Sequence, residues 1–293
     1  MSGDRDDLAL IGLGNMGMPM AERWLKAGHV VHGFDVDAEA RDRLAAGGGI
    51  AHQSAAEAAA TAAVTVLMLP STPIVDRVLG ELCAAGALRA GTTVIDMSSS
   101  EPLASQRNAG DLAGIGVHFL DAPVSGGVRG AESGSLTIMV GGEPVWVESC
   151  RPLLASLGKV IPVGPVGAGH AVKALNNLLS ATHLWITSEA VLIGERLGIA
   201  PATILEVFNG SSGRSGSSEV KWPQFIASER YDSGFEARLM LKDAKIATQL
   251  ARGLGLPTSL GEGVVDLWAQ ATDDLPPRAD HTEIARWLKE RAT

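Results

Sequence analysis

The sequence predicts an α/β protein in which a doubly wound parallel sheet is followed by an all-α region. Three observations lead to this prediction. The chain starts with an apolar strand, a glycine-rich turn and a helix; short apolar runs then recur between helical stretches; and a long apolar helical stretch covers residues 171–197. Because the strand pattern stops near residue 164, we expect a cofactor-binding domain over 1–164 and a helical domain over 165–293.

The first strand, at residues 8–11, leads directly into GLGNMG and then into a helical pattern. Strand, G-x-G-x-x-G and helix is the order of a Rossmann-type dinucleotide site. The first glycine permits the tight turn, the second lets the pyrophosphate approach the backbone, and the third lets helix and strand pack closely. The phosphates would lie at the helix N-terminus. The predicted cofactor residues in this turn are Gly12, Leu13, Gly14, Asn15, Met16 and Gly17.

The second strand, at residues 30–35, ends in Asp35, about twenty residues after the glycines. An acid at that place accepts hydrogen bonds from the adenosine ribose hydroxyls and repels the 2′-phosphate of NADP. Asp35 could instead be an ordinary turn residue, and Asp37 could share its role. The sequence therefore predicts NAD as the cofactor rather than NADP.

Further strands are predicted at residues 63–70, 92–98, 117–124, 136–142 and 159–164. Runs such as VTVLML are apolar on both faces, as expected for strands that helices cover on both sides. Ligands of such sheets bind beyond the carboxyl ends of the strands. We therefore expect the site in the polar loops at 69–72, 98–100 and 125–127, with cofactor contacts from Leu69 and Pro70.

The helical stretch at residues 171–197 carries no charge between Lys173 and Glu189. It would extend about 40 Å and is apolar on nearly all sides, so we expect it to be buried between domains or in a homodimer or homotetramer. A membrane span is disfavoured because Asn176, Asn177 and later polar residues interrupt the apolar run. Lys173 and Asn177 lie four residues apart and therefore share one helix face.

The rest of the chain alternates helical segments with breaks. Helices are predicted at residues 201–209, 222–230, 234–255 and 282–291. In the segment GSSGRSGSS at 210–218, only Arg214 is neither glycine nor serine. That composition is typical of a flexible linker, but a lone arginine inside a domain also fits a mobile active-site loop in which Arg214 contacts the substrate.

Composition excludes several classes of function. The net charge of −9 argues against a nucleic-acid partner, which would require a basic face. The acidic, polar start resembles neither a signal peptide nor a transit peptide, so we expect a cytoplasmic enzyme. Cys83 and Cys150 form no metal or redox spacing, and we expect both to be reduced core residues. The seven histidines show no ligand pattern, so no metal is predicted.

Four motifs in order resemble the β-hydroxyacid dehydrogenase family, whose members include 3-hydroxyisobutyrate dehydrogenase and tartronate semialdehyde reductase. They are GLGNMGMPMA at 12–21, DAPVSGG at 121–127, GAGHAVKALNN at 167–177 and KDAKIA at 242–247. The match covers nearly the whole chain. It implies an NAD-dependent enzyme that oxidises a small anionic 3-hydroxy acid to the semialdehyde, with no nucleic-acid or membrane partner.

The resemblance also implies roles for individual residues. Lys173 matches the catalytic lysine of the family, which acts on the hydroxyl or carbonyl oxygen of the substrate. Asn177 matches the asparagine that helps to hold the substrate. The loop that binds the substrate carboxylate corresponds to Ser125, Gly126 and Gly127. Ser99 falls near the nicotinamide, and Lys242, with Asp243 beside it, falls near cofactor and substrate.

The chemistry agrees with these assignments, but the substrate stays open. Hydride transfer from an alcohol carbon requires a base that removes the hydroxyl proton, and a lysine whose surroundings favour the neutral amine can do this. The segment SSGR at 211–214 resembles a stretch in hydroxyisobutyrate dehydrogenases. The aromatic residue that the resemblance leads us to expect just after it is missing. We place 3-hydroxyisobutyrate first, with tartronate semialdehyde, serine or another polar β-hydroxyacid as alternatives. The presence of Lys173 disfavours an imine reductase and a catalytically silent binding module.

Overall fold

The computed structural model describes residues 7–291. They form two compact units, of which the first ends at Lys173 and the second begins at Ala174. The predicted domain boundary after residue 164 stays a prediction.

The first unit combines strands with covering helices. Its strands are β1 Asp7–Ile11, β2 Val30–Phe34, β3 Ile50–Ala51, β4 Val64–Leu67, β5 Thr93–Asp96, β6 His118–Asp121, β7 Val124–Ser125, β8 Leu136–Gly141 and β9 Gly158–Gly164. Its helices are α1 Gly17–Lys26, α2 Ala38–Ala46, α3 Ala55–Thr61, α4 Thr72–Ala84, α5 Pro102–Ala113, α6 Gly127–Ser133 and α7 Pro144–Ala155.

The strands form one sheet in the order β3-β2-β1-β4-β5-β6-β8-β7, and β9 pairs with β8. The pairs from β3 to β6 are all parallel, whereas β8 is antiparallel to both β6 and β7. Alternate residues of β1 enter two different buried clusters, Leu8 and Leu10 in one and Ala9 and Ile11 in the other. Both faces of the sheet are therefore covered, which confirms the predicted doubly wound α/β class.

One strand prediction was wrong in detail, and one strand was not predicted. The single strand expected at 117–124 is two strands, β6 and β7, and β7 turns to pair antiparallel with β8. Pro123 lies between them and has no amide hydrogen to continue a ladder. The short strand β3 was not predicted, because two residues are too few to show an alternation of apolar and polar side chains.

The second unit is helical, as predicted. Helix α8, Ala168–Arg196, begins in the first unit and continues into the second. The other elements are α9 Pro201–Asn209, a π-helix Ser217–Ile226, α10 Ala237–Gly253, α11 Ser259–Asp274, a 3-10 helix His281–Glu283 and α12 Ile284–Arg291. Leu184, Trp185, Trp268 and Ile284 belong to its buried core.

Helix α11 had no prediction. Gly261 and Gly263 lie near its start and lower its intrinsic helix propensity. The helix forms because Val264, Trp268 and Ala271 are buried on one side of it, and packing of that kind outweighs propensity.

The Gly/Ser segment is partly structured. The π-helix begins at Ser217, so the linker interpretation is wrong for the last residues of 210–218. The backbone amide of Ser215 donates to Ser218 Oγ at 2.9 Å, and Asn209 Nδ2 donates to the carbonyl of Ser218 at 3.2 Å. These hydrogen bonds fix the turn that precedes the helix.

Two further expectations have mixed outcomes. Cys150 is buried, and its burial raises the pKa of the thiol to about 11, but Cys83 is exposed and the prediction that it lies in the core was wrong. Helix α8 is buried on one side only, because Leu175, Leu179 and Ile193 are exposed. Across the described part of the chain, no helix combines the length and apolar character that crossing a membrane requires.

Candidate active site

The glycine-rich turn connects β1 to α1 and has the form that a dinucleotide needs. Gly12 has a φ of +103°, and a Cβ there would collide with the carbonyl of Met68. A Cβ on Gly17 would collide with the carbonyl of Gly12, whereas a Cβ on Gly14 would meet nothing within 4 Å. The fold therefore explains the first and third glycines, and the second keeps open the approach of a pyrophosphate to the backbone. Leu13, Asn15 and Met16 lie in the same turn.

Asp35 lies beside this turn. Its Oδ2 accepts a hydrogen bond from the backbone amide of Leu13 at 2.7 Å, and its Oδ1 accepts one from the amide of Asp37 at 2.9 Å. Asp37 has a different task, because its Oδ1 accepts from the amide of Glu39 and caps α2. The sequence left open whether Asp35 or Asp37 contacts the cofactor ribose. In the structure, Asp35 is the acid next to the glycines.

The loops after β4 and β5 are joined by Ser98, and the buried carboxylate of Asp96 fixes the loop in which Ser98 lies. Its Oδ1 accepts from the amide of Ser98 at 2.9 Å, and its Oδ2 accepts from Ser100 Oγ at 2.7 Å. Ser98 Oγ in turn accepts from the amide of Leu69 at 2.9 Å. Both neighbours of Ser99 are therefore fixed. These loops carry the predicted cofactor residues Leu69, Pro70 and Ser99.

The motif DAPVSGG starts at the end of β6 and ends in the turn between β7 and α6. Ser125 is the last residue of β7, and Gly126 and Gly127 have φ values of +126° and +62°. Backbone of that kind favours glycine. A Cβ on Gly127 would meet nothing within 4 Å. One hydroxyl and two backbone amides therefore lie within a single turn, a setting suited to a carboxylate.

Asp121, the first residue of the same motif, fixes the start of α8. It is fully buried, and its two oxygens accept hydrogen bonds from the amides of Gly167 and His170, both at 2.8 Å. A Cβ on Gly169 would collide with the backbone of Met139, so the helix starts close against the sheet. The motif that contains Ser125 is thereby fixed to the helical turn that leads to Lys173.

His170 completes this network. Its Nδ1 lies 2.7 Å from Ser105 Oγ and its Nε2 lies 3.0 Å from the carbonyl of Ser98. Oxygens of Asp96 and Asp121 both lie 3.8 Å from the ring nitrogens. Sequence analysis did not select Asp96, Asp121 or His170. The two acids could have been found from the sequence, because each is a charged residue at the end of an apolar strand, and a buried charge needs partners.

Lys173 and Asn177 are both buried, with exposed fractions of 8% and 5%. Asn177 Nδ2 donates to Asp243 Oδ2 at 2.6 Å, and Lys242 Nζ lies 3.3 Å from Asp243 Oδ1 as an ion pair. Asn177 Oδ1 accepts from Asn176 Nδ2 at 3.2 Å and has a second lone pair. Asp243 thus orients the Asn177 amide so that its oxygen can accept a hydrogen bond from a ligand.

Arg214 lies at the surface of the second unit. Its side chain is 64% exposed, and its Nε pairs with Glu219 Oε1 at 2.7 Å. Lys221 on the π-helix is partly buried, and its Nζ donates to Ser180 Oγ on α8 at 2.6 Å. Sequence analysis missed Lys221, although it follows the Gly/Ser segment closely. A substrate contact by Arg214 stays a prediction.

Two domain families cover almost the whole described chain. Residues 7–167 match the NAD binding domain of 6-phosphogluconate dehydrogenase, and residues 167–288 match the NAD-binding domain of NADP-dependent 3-hydroxyisobutyrate dehydrogenase.

Individual relatives agree with these matches. A 2-(hydroxymethyl)glutarate dehydrogenase of Eubacterium barkeri is 38% identical, with 85% of this chain and 84% of the relative covered. An NAD-dependent L-serine dehydrogenase of Pseudomonas aeruginosa is 36% identical, with 89% and 90% covered. The structure of Mycobacterium tuberculosis 3-hydroxyisobutyrate dehydrogenase with L-serine superposes with a TM-score of 0.92 at 33% identity, covering 97% of this chain and 99% of that one.

The glycine turn with Asp35 beside it, the DAPVSGG turn and the buried lysine on α8 agree with the same conclusion. The chain belongs to the β-hydroxyacid dehydrogenase family and is an NAD-dependent oxidoreductase that acts on the CH–OH group of hydroxyacids.

Proposed function

We propose that this enzyme oxidises a small 3-hydroxy acid of the 3-hydroxyisobutyrate type to the corresponding semialdehyde. The observation that carries the proposal is the buried Asp121, whose carboxylate accepts from the amides of Gly167 and His170. It joins the strand end that precedes the Ser125 turn, which suits a carboxylate, to the helical turn that leads to Lys173, which suits a reacting oxygen. A rigid scaffold of this kind is what proximity catalysis requires.

The chemistry of these two groups favours a particular class of substrate. The hydroxyl of Ser125 and the amides of Gly126 and Gly127 bind the carboxylate. Lys173 and Asn177 hold the reacting oxygen from helix α8. Holding the carboxylate at one end and the alcohol at the other selects a hydroxyl on the carbon next to C2, and its oxidation gives a semialdehyde. Candidate substrates are 3-hydroxyisobutyrate, 3-hydroxypropionate, glycerate and serine, or tartronate semialdehyde in the reverse direction.

The relatives support this choice of substrate class. The substrates in the names of two relatives, 2-(hydroxymethyl)glutarate and L-serine, and 3-hydroxyisobutyrate itself share one core. In each, a single carbon carries a carboxylate, a hydroxymethyl group and a variable substituent. The common core is what the Ser125 turn and Lys173 are proposed to bind, so the substituent is the part that differs between enzymes.

Proton transfer is the task of Lys173. Bound NAD supplies the hydride acceptor, and the residues around the glycine turn fit it, since Gly14 leaves its backbone approachable and Asp35 lies beside Leu13. Lys173 Nζ takes the hydroxyl proton as the alcohol is oxidised and returns it to the carbonyl oxygen in the reverse direction. Asn177 Oδ1 accepts from the substrate hydroxyl without adding charge, because Asp243 occupies its Nδ2.

Asp35 sets the cofactor preference. Its carboxylate lies beside the glycine turn, where a 2′-phosphate would be repelled. We expect kcat/KM to favour NAD over NADP and Asp35→Ser to narrow the gap. A wild-type enzyme that prefers NADP would contradict this assignment.

Helix α8 also suggests assembly into a homodimer or homotetramer. Leu175, Leu179, Ile186 and Ile193 of the second unit form an exposed stripe at helical spacing. An apolar stripe of that length is typical of a surface covered by another subunit. Light scattering at micromolar concentration should give a dimer or tetramer, and a clean monomer would contradict the proposal. The cytoplasmic location stays a prediction.

The direct test is a turnover screen. NADH formation is followed with 3-hydroxyisobutyrate, 3-hydroxypropionate, glycerate and L-serine, each with NAD and with NADP. Cyclic imines with NADH and NADPH serve as the comparison for an imine reductase. We expect NAD-dependent turnover of at least one hydroxyacid and none of the imines. Imine reduction without hydroxyacid oxidation, or no turnover with any compound, would contradict the proposed function.

A further inference from the structure

The face of α8 that carries Asn177 continues into a second polar group. Ser180 lies three residues after Asn177, so their Cβ atoms are neighbours about 5–6 Å apart. Lys221 Nζ donates to Ser180 Oγ at 2.6 Å. An ammonium group is therefore held within one helical turn of the amide that positions the substrate oxygen. All three residues belong to the second unit.

The surroundings of Lys221 do not include a second positive charge from histidine. Burial, and then the positive charge of Lys221, lower the pKa of His281 to about 4, so this histidine is neutral at physiological pH. Asp280 Oδ1 lies 3.6 Å from His281 Nδ1, and its carboxylate already accepts from Ser233, Thr282 and backbone amides. Near Ser180, Lys221 therefore supplies a positive charge that His281 does not.

We propose that Lys221, positioned by Ser180, is a specificity-determining residue that binds a second carboxylate on the C2 substituent of the substrate. This inference rests on the proposed function, which supplies the common core, and it adds the identity of the substituent. The enzyme then prefers 3-hydroxy acids that are dicarboxylates.

The reach of such a substrate matches the spacing of the residues. In 2-(hydroxymethyl)succinate, four bonds separate the hydroxyl oxygen from the distal carboxylate carbon, a span of about 5 Å. That span equals the separation of two side chains one turn apart on a helix, about 5–6 Å. With the hydroxyl at Asn177, the distal carboxylate reaches Ser180 and Lys221. An ammonium has three donors and the serine hydroxyl has one, so both can bond a carboxylate.

The test compares two substrates that differ only in the charge of this substituent. They are 2-(hydroxymethyl)succinate and the same molecule with its distal carboxylate converted to a carboxamide. A charge-assisted hydrogen bond is about twice as strong as a neutral one, so we expect wild-type kcat/KM to favour the dicarboxylate about tenfold or more. Lys221→Met removes the charge but keeps the length of the side chain, and it should bring the ratio close to one. Lys221→Arg should retain the preference.

Two further variants sharpen the result. Ser180→Ala removes the hydroxyl that positions the ammonium, and it should lower the ratio about threefold, since the charge remains. The control is Lys289→Met, which removes an exposed lysine on α12 in the same unit and should leave the ratio unchanged.

The outcomes separate this inference from the proposed function. Wild-type enzyme that shows no preference for the dicarboxylate, while oxidising 3-hydroxyisobutyrate with NAD, overturns the role of Lys221 and leaves the function standing. A Lys221→Met variant that loses the same factor on both substrates shows that Lys221 is only structural, and this also overturns the inference. If no 3-hydroxy acid is oxidised with NAD, the proposed function and the inference both fail.

Discussion

The two units each contain a buried histidine, and the two histidines are used differently. His170 of the first unit has a partner at each ring nitrogen, Ser105 Oγ and the carbonyl of Ser98, and two carboxylates lie nearby. His281 of the second unit bonds through Nδ1 to the carbonyl of Phe235, while its buried Nε2 has no hydrogen-bond partner among residues 7–291. Lys221 is the cation that lowers its pKa, after burial itself.

This difference suggests that one network positions the backbone and that the other recognises the substrate. The network around His170 is saturated, and because Asp121 and Asp96 end neighbouring strands, it fixes the loops and the start of α8. The network of the second unit provides an amide oxygen at Asn177 and a cation at Lys221, which an arriving substrate can use. We infer that the network around His170 serves to position the backbone and that the network around Asn177 and Lys221 serves to bind substrate.

The largest expected effect is that of removing the base. Lys173→Ala should lower kcat by about a hundredfold or more, because the positioned proton acceptor is lost. NADH affinity, measured by fluorescence titration, should change little, since no cofactor contact is assigned to Lys173. A variant with wild-type turnover would show that proton transfer does not depend on this residue.

Neutralising one aspartate in each unit tests whether the two hydrogen-bond networks have separate roles. Asp121→Asn keeps one oxygen acceptor but places an NH2 group against one of the two backbone amides that Asp121 binds, and should lower the free energy of unfolding by about 3 kcal/mol. Asp243→Asn should leave the free energy of unfolding closer to wild type and lower kcat/KM about tenfold, because Asn177 loses its orientation. Urea unfolding and steady-state kinetics on both variants measure the two effects. Equal unfolding and kinetic profiles would mean that the networks do not have separate roles.

His281 should make stability depend on pH. Its pKa is about 4 in the folded protein against 6.5 for an ordinary histidine, so the unfolded chain binds the proton first as the pH falls. The contribution is complete above pH 6.5 and is lost between that value and about 4. By about pH 5 the loss should reach about 2 kcal/mol.

Urea midpoints of wild type and His281→Asn at about pH 7.5 and about pH 5 measure this difference. Asparagine keeps a donor near the Nδ1 position but does not titrate in this range. Wild type should lose about 2 kcal/mol more than the variant on acidification. Parallel losses in the two proteins would show that His281 is not the group responsible.

Features that depend on local backbone geometry could be predicted from the sequence. The glycine turn, Asp35 and the DAPVSGG turn need particular residues at short spacing, and the sequence shows them directly. The network around His170 could not be predicted, because its partners lie 46 to 72 residues apart along the chain. The same holds for Lys221, whose partner Ser180 is 41 residues away. Arg214 was noticed instead because it stood alone among glycines and serines, although it pairs with Glu219 at the surface.

The central claim is that the Ser125 turn binds a carboxylate while Lys173 handles the alcohol. The most direct measurement compares kcat/KM for a 3-hydroxy acid, its methyl ester and the matching simple alcohol, all with NAD. Removing a charged anchor should cost more than the 1–3 kcal/mol of one methyl group, so we expect the acid to exceed both others by about a hundredfold or more. Comparable values for the three compounds would show that no carboxylate is bound, and would contradict the proposed substrate class.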